Sequence, residues 1–511
     1  MEFEEGMRSR KQQAVVLKPI ETKVKNRGDD MKISLEEPVS PAGRLFNEPN
    51  FNVHILAIMG SKIKINLDLA KQNLVHTLLK HPRFSSLQVV DEESGSGKMK
   101  WVRTEVDLDK HIIVPIIDPN MEEFISPDKF LENYIYSLTK NNLLLDRSKP
   151  LWDVHVLNLK TSNAEGVVIF RIHHSLGDGI SLMSLLLACT RQIEKPEAVP
   201  TLPTKKIINT YDHNNRFISK LSIYYCFLGL WWILKLFWNT FVDFVLFVAT
   251  ALFLKDTHTP LRGLPGCEHN PRRIIFRVVS FDDIKLVKNA MASTVNDVAV
   301  GITQAGLSRY LNRRYGENGE AFPKKIRLRS NLLVNIRPSP GIQSLADMME
   351  KNSEAKWGNW IGYVLLPFDI CLRDNPLDYI RTAKAIIDRK KHSLEALCTF
   401  SISGFIFALF GIKRTSALFH KILSATTMAF SNVVGPLEEI GFYGHPMAYL
   451  AGATYGQPHE LMVNFQSYVN KMTIVLSVDE ATIPDPHRLC DDIVESLKLM
   501  KDALLQKGLL K

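Results

Sequence analysis

This chain of 511 residues lacks paired cysteines. Its six cysteines, Cys189, Cys226, Cys267, Cys371, Cys398 and Cys490, are scattered, with no CxxC pair. That spacing excludes a disulfide framework and a cysteine zinc site, and it suits a reducing, cytosol-facing environment. No HxxxH or HExxH helix is present, so no metal centre is expected. The stretch Ser94-Gly95-Ser96-Gly97-Lys98 lacks the Ser or Thr that follows the lysine of a phosphate-binding loop, and reads as a polar hairpin or loop. Residues 1–30 are charged and contain no apolar core segment, so they read as a disordered tail and not as a secretory leader. The balance of 63 basic and 54 acidic side chains, net +9, could attract lipid headgroups or phosphates. No nucleic-acid-binding motif accompanies it, and nucleic acid is not an expected partner.

Apolar residues make up 45% of the chain, enough for a globular protein whose length allows two domains. Its chemistry concentrates in His173-His174-Ser175-Leu176-Gly177-Asp178-Gly179, a string of the form HHxxxDG. Gly166 to Ile172 before it reads as a strand, and Ile180 to Leu187 after it reads as a buried helix. The motif thus falls on a strand-to-helix turn, a rigid platform for reactive groups. Successive strand residues face opposite ways, so only one of the two imidazoles can enter a reaction site. A neutral imidazole can take a proton from a hydroxyl near neutral pH. Asp178 could orient an imidazole or hold an arginine, and the residues alone leave both open. A serine nucleophile at Ser175 is a rival reading, weakened because the first glycine of G-x-S-x-G is missing.

Further blocks surround the motif. Glu36-Glu37-Pro38-Val39-Ser40-Pro41-Ala42-Gly43-Arg44-Leu45-Phe46 opens the ordered region, and Pro150-Leu151-Trp152 precedes the histidines. Asn296-Asp297-Val298 and Ser431-Asn432-Val433-Val434-Gly435-Pro436 follow them. Read plainly, Asn296 caps the next helix and Pro150-Leu151-Trp152 packs in a core. Together the blocks resemble the plant wax ester synthase/diacylglycerol acyltransferases, a branch of the HHxxxDG CoA-dependent acyltransferase superfamily, from about residue 35 to the C-terminus. The DFGWG string of the related phenolic and alkaloid acyltransferases is absent, which favours the lipid branch.

The resemblance implies an α/β fold of two similar halves packed around a central tunnel. Its expected divisions are a tail over 1–34, a first half with the motif over 35–200, a linker and apolar segment over 201–265, and a second half over 266–511. It implies that His174 is the general base, with His173, Asp178 and Gly179 in the same motif, and Asp178 structural and paired with Arg337. Asn296, Asp297, Ser431 and Asn432 would hold substrate or the tetrahedral oxyanion. Acyl-CoA would be a substrate, with no separate cofactor, and the acceptors would be long-chain fatty alcohols and diacylglycerol. A non-catalytic lipid-binding protein of the same fold is the other rival.

One long apolar segment stands out, Leu221 to Leu254. Lys235, Asn239 and Asp243 recur in it at four-residue spacing, and Trp231 is expected to extend that stripe. Three arrangements fit it: a single tilted span, a helix lying in a membrane interface, or a buried crossover pair. Membrane contact is the expectation, at the endoplasmic reticulum and also the plasma membrane. Leu397 to Ile412 is a shorter apolar run that suits an acyl channel, a membrane surface or a buried helix.

Overall fold

A computed structural model describes residues 37–509, apart from 92–97, 119, 141–144, 204–217 and most of 339–355, and without the side chains of 218–228. The tail, the centre of the Ser94–Lys98 stretch and most of the linker before the apolar segment lie outside the described residues.

The chain folds as two mixed α/β halves. The first is built on a seven-stranded sheet in which Gly166–His173 pairs antiparallel with both Trp152–Leu157 and His54–Ser61. These strands are rich in β-branched and aromatic residues that fit a half-buried pleat. The next strand out comes from the far end of the chain. His445–Tyr455 pairs with His54–Ser61, and Ile440–Phe442 continues the sheet to Thr190–Gln192. The first half therefore borrows two strands from the second. Nothing in local patterning announced this exchange, because a strand's alternation does not reveal which sheet it joins.

The second half carries a six-stranded sheet in the order Ile361–Asp369, Arg327–Asn335, Met428–Val433, Leu461–Tyr468, Lys471–Asp479, Arg272–Ser280. Helices Val295–Glu317, Leu377–Lys391 and Pro486–Gln506 cover one face through Ile302, Ile380 and Ile493. The other face meets the first half, where Ile274 and Val475 join Ile58 and Ile169 in one buried cluster. The two sheets thus share a core, and what one half does to its strands the other feels.

The apolar segment forms the helix Ile218–Leu252, and the later run forms Glu395–Leu423, broken at Gly411 where φ is +71°. Among the described residues these two helices are long and apolar enough to cross a membrane. They are not a buried crossover pair. Phe237, Trp238 and Phe241 on one, and Phe405 and Leu409 on the other, are exposed. The expected stripe needs correction. Asn239 and Asp243 do face the protein, but Lys235 is exposed and Trp231 is 64% exposed. Steps of four residues walk about 40° round a helix, so two such steps carry Trp231 and Lys235 off the buried side. Trp232, seven residues before Asn239, is the residue that packs, stacking on His392.

Candidate active site

The strand Gly166–His173 ends at the first histidine of the motif, and a single 3₁₀ turn, His174–Leu176, leads to the helix Gly179–Ala188. Strand alternation is visible in the surroundings of the two rings. His173 lies edge-on to His54 and is hydrogen-bonded inside the protein. Gln88 Nε2 donates to Ser175 Oγ at 2.6 Å, and that hydroxyl donates to His173 Nδ1 at 2.6 Å. The other ring nitrogen then carries the proton and donates to Asn52 Oδ1 at 3.1 Å. Both nitrogens of His173 are occupied. Ser175 is spent on this network and is only 2% exposed.

His174 is differently placed. Phe46 stacks on its ring at 4.2 Å between centroids. The Asn359 amide nitrogen donates to the His174 carbonyl at 3.0 Å, so its oxygen faces the ring and accepts from Nδ1 at 3.1 Å. That bond fixes the tautomer and leaves Nε2 with a free lone pair. No hydrogen bond to Nε2 occurs among the described residues, and the atom is not sealed off as a buried orphan. Burial pushes the His174 pKa below the ordinary histidine value, against the opposing pull of Asp178 and Asn359. The ring is therefore neutral at physiological pH and able to accept a proton.

Asp178 does not touch either imidazole. It caps the helix Gly179–Ala188 by accepting from the Ser181 amide at 2.9 Å. It forms a two-toothed ion pair with Arg337, at 2.8 and 3.1 Å. Arg337 also donates to the carbonyls of Gly358 and Lys356, at 2.8 and 3.0 Å. The pair fastens the motif to the segment that carries Asn359. A buried ion pair is favourable only when its remaining donors are satisfied, and here they are. Trp357 adds a further tie, its indole nitrogen donating to the Leu176 carbonyl at 2.7 Å.

The two asparagines singled out from sequence meet each other: Asn432 Nδ2 donates to Asn296 Oδ1. Asn296 is not the cap of its helix. Thr294 is, in a reciprocal capping box with Asp297, which leaves Asp297 Oδ1 buried without a partner. Asp297 is thus occupied in its own helix end. Ser431 and Asn432 lie in the strand Met428–Val433, whose last residue sits beside Gly179. Pro150-Leu151-Trp152 packs in the core, with the Leu151 carbonyl accepting from the His173 amide at 3.0 Å.

Beneath the motif helix lies a cavity of about 160 Å³, bounded by the first sheet. Ile55, Ala57 and Phe170 sit in central strands yet keep accessible surface because they face it. Leu182 and Met183 form the opposite wall, and Gly179 and Val433 also line it. His174 is not among its lining residues, so the alkyl-sized space and the imidazole are neighbours through the motif helix and do not form one chamber.

Asn359, Phe46, Asn52 and Gln88 were missed as site residues. Phe46 lay inside a quoted block, but nothing marked it as the partner of a ring 128 positions away. Asn359 stands in Trp357-Gly358-Asn359-Trp360, a polar residue between aromatics, the one local cue that this loop is packed.

Comparison with known proteins decides the family. A model of the wax ester synthase/diacylglycerol acyltransferase catalytic domain matches residues 53–299, and the corresponding C-terminal domain matches residues 357–501. The chain belongs to the wax ester synthase/diacylglycerol acyltransferase family. Wax ester synthase/diacylglycerol acyltransferase 11 of Arabidopsis thaliana is 51% identical over 492 residues, covering 94% of this chain and 99% of that one. Number 5 of the same plant is 49% identical, covering 91% and 93%. Among solved structures, the wax ester synthase/diacylglycerol acyltransferase from Marinobacter aquaeolei VT8 aligns with a TM-score of 0.58 at 17% identity, covering 92% of this chain and all of that one. The first condensation domain of the CDA synthetase aligns at 0.51 and 11% identity, over 92% and 97%. These two likenesses establish the shared two-domain α/β fold.

Proposed function

We propose that this family member esterifies long-chain fatty alcohols with the acyl group of acyl-CoA, forming wax esters, and acylates diacylglycerol as a secondary activity. His174 Nε2 takes the proton of the acceptor hydroxyl. The alkoxide oxygen bonds to the thioester carbonyl carbon, the carbon–sulfur bond breaks, and the CoA thiolate leaves and takes up the proton. No acyl-enzyme forms, and acyl-CoA is a substrate with no cofactor beside it. Asp178 and Arg337 hold the motif in place, and Asn296 and Asn432, hydrogen-bonded to each other and flanked by Ser431, bind substrate or the oxyanion. The cavity under the motif helix suits an alkyl chain. The exposed apolar helices support membrane association, and the enzyme acts at the endoplasmic reticulum with its site facing the cytosol, and at the plasma membrane as well. The observation that carries this reading is the free lone pair on a neutral, Asn359-oriented His174.

Purified protein incubated with labelled palmitoyl-CoA and hexadecanol, diacylglycerol or water tests it. Ester from the first two acceptors is expected, and His174→Ala should abolish it while the melting temperature stays near that of the parent. Ester formation that survives this substitution would overturn the mechanism. Ser175→Ala separates the hydrolase rival. Loss of the Gln88 and His173 bonds should lower stability by about 1–3 kcal/mol yet leave transfer largely intact, whereas a serine hydrolase would be dead.

A further inference from the structure

The two apolar helices distribute their charges one-sidedly. Asp243 is the sole acid of Ile218–Leu252 and Glu395 the sole acid of Glu395–Leu423. Both are buried, and Lys390 bonds to both, at 2.9 and 2.6 Å. The cations Lys235, Lys413 and Arg414 are exposed. Among the described side chains, the outward surface of the pair is apolar and carries cations but no acid, the pattern that binds anionic lipid surfaces.

Orientation follows from the stripe that faces the protein, buried from Asn239 onward and begun by a half-exposed Trp232. Trp232, Asn239, Asp243, Phe247 and Thr250 all touch the body: His392 takes the first two, Arg389 and Lys390 the third. Phe247 packs with Leu365 and Ile422, and Thr250 accepts from Arg329. From Trp232 to Thr250, eighteen rises of 1.5 Å, about 27 Å of helix thus lie along the protein. Standing this helix across a bilayer would drag Asp243, Arg389 and Lys390 into hydrocarbon, where charges are costly. Lying in the interface leaves them on the wet side.

The second helix leads from that surface to the site. Phe419 and Leu423 cluster with Leu45, and the Arg44 guanidinium lies 5.2 Å from the Phe407 ring centroid. The residue after Leu45 is Phe46, which stacks on His174. One five-residue helix, Pro41–Leu45, bridges the apolar face and the imidazole.

We propose that the helix pair seats in the plane of an anionic bilayer's headgroup region, and that the water-insoluble acceptor passes from that bilayer to His174 beside Arg44–Phe46. The delivery step rests on the acyl-transfer reading above; the seat does not. The test uses the full chain with vesicles of phosphatidylcholine, with and without phosphatidylserine. Flotation should be stronger with phosphatidylserine, and Lys413→Glu with Arg414→Glu should remove that preference. Phe405→Asp with Leu409→Asp should lower acylation of vesicle-borne hexadecanol about tenfold or more and leave acylation of dissolved butanol by a short acyl-CoA unchanged. Brominated lipids should quench Trp231 and Trp238, read by difference with their Phe variants, most strongly from positions near the carbonyls. No flotation, equal loss on both alcohols, or strongest quenching from chain-end bromines would each overturn the proposal. Failure of every alcohol with the parent protein would instead sink the acyl-transfer reading, with flotation and quenching still reporting on the seat.

Discussion

His174 and Asn359, 185 positions apart, hold each other twice: the ring donates to the amide oxygen at 3.1 Å, and the amide donates to the histidine's own carbonyl at 3.0 Å. The pair pins the ring's position and its tautomer together. Asn359→Ala should therefore lower kcat by about 10–100-fold with little change in KM, a fraction of the roughly 10²–10⁴-fold that a general base contributes as a whole. Asn359→Asp carries an extra diagnostic. A carboxylate favours the imidazolium, so the acid limb of the kcat/KM profile should move to higher pH than in the parent. In the parent, burial holds His174 below the ordinary histidine value, so activity should persist into mildly acidic buffer. An unshifted limb in Asn359→Asp would show that another group titrates.

Arg337→Ala leaves Asp178 charged and buried without its partner. A loss of about 3–5 kcal/mol in unfolding free energy is expected. Removing both side chains should cost less than the sum of the single changes, which denaturant titration of the four proteins would reveal.

Acid should unfold this protein through its histidines. Burial lowers His54 and His459 to about 3, and pushes His81 and His173 well below the usual value. The unfolded chain binds protons at these sites from about pH 6.5 downward and the native state does not. Their contribution to stability is complete above that pH and lost as pH falls toward 3. Melting temperature measured at a series of pH values should decline across that window, and His459→Gln should flatten the slope.

Ala57 faces the cavity under the motif helix. Ala57→Phe should fill part of it and shift preference toward shorter chains, with the shortest substrates turned over as before. A series of acyl-CoA and alcohol lengths checks this; uniform loss at every length would mean distortion and not occlusion.

The elements that carry the motif could be read locally. The strand Gly166–His173 before it and the helix Gly179–Ala188 after it were both legible, because each buries apolar side chains against a continuous core. The pairing of Arg337 with Asp178 followed from the resemblance, and the structure contains it. What stayed hidden depends on partners distant in sequence. The place of His445–Tyr455 in the first sheet is set by which edge is open after folding, and the partner of His174 by a loop from the other half. Thr294 took the cap expected of Asn296, two positions later, because Asp297 answers it in a reciprocal pair.

The borrowed strand has a consequence for inheritance. His54–Ser61 is completed by residues encoded some 390 codons downstream, so neither half can be recombined as an independent cassette. A chimera joined between the two halves would set one lineage's edge against another's, and its sheet would have to be compatible before its imidazole could matter. Variation on either side of that seam is bound to be correlated.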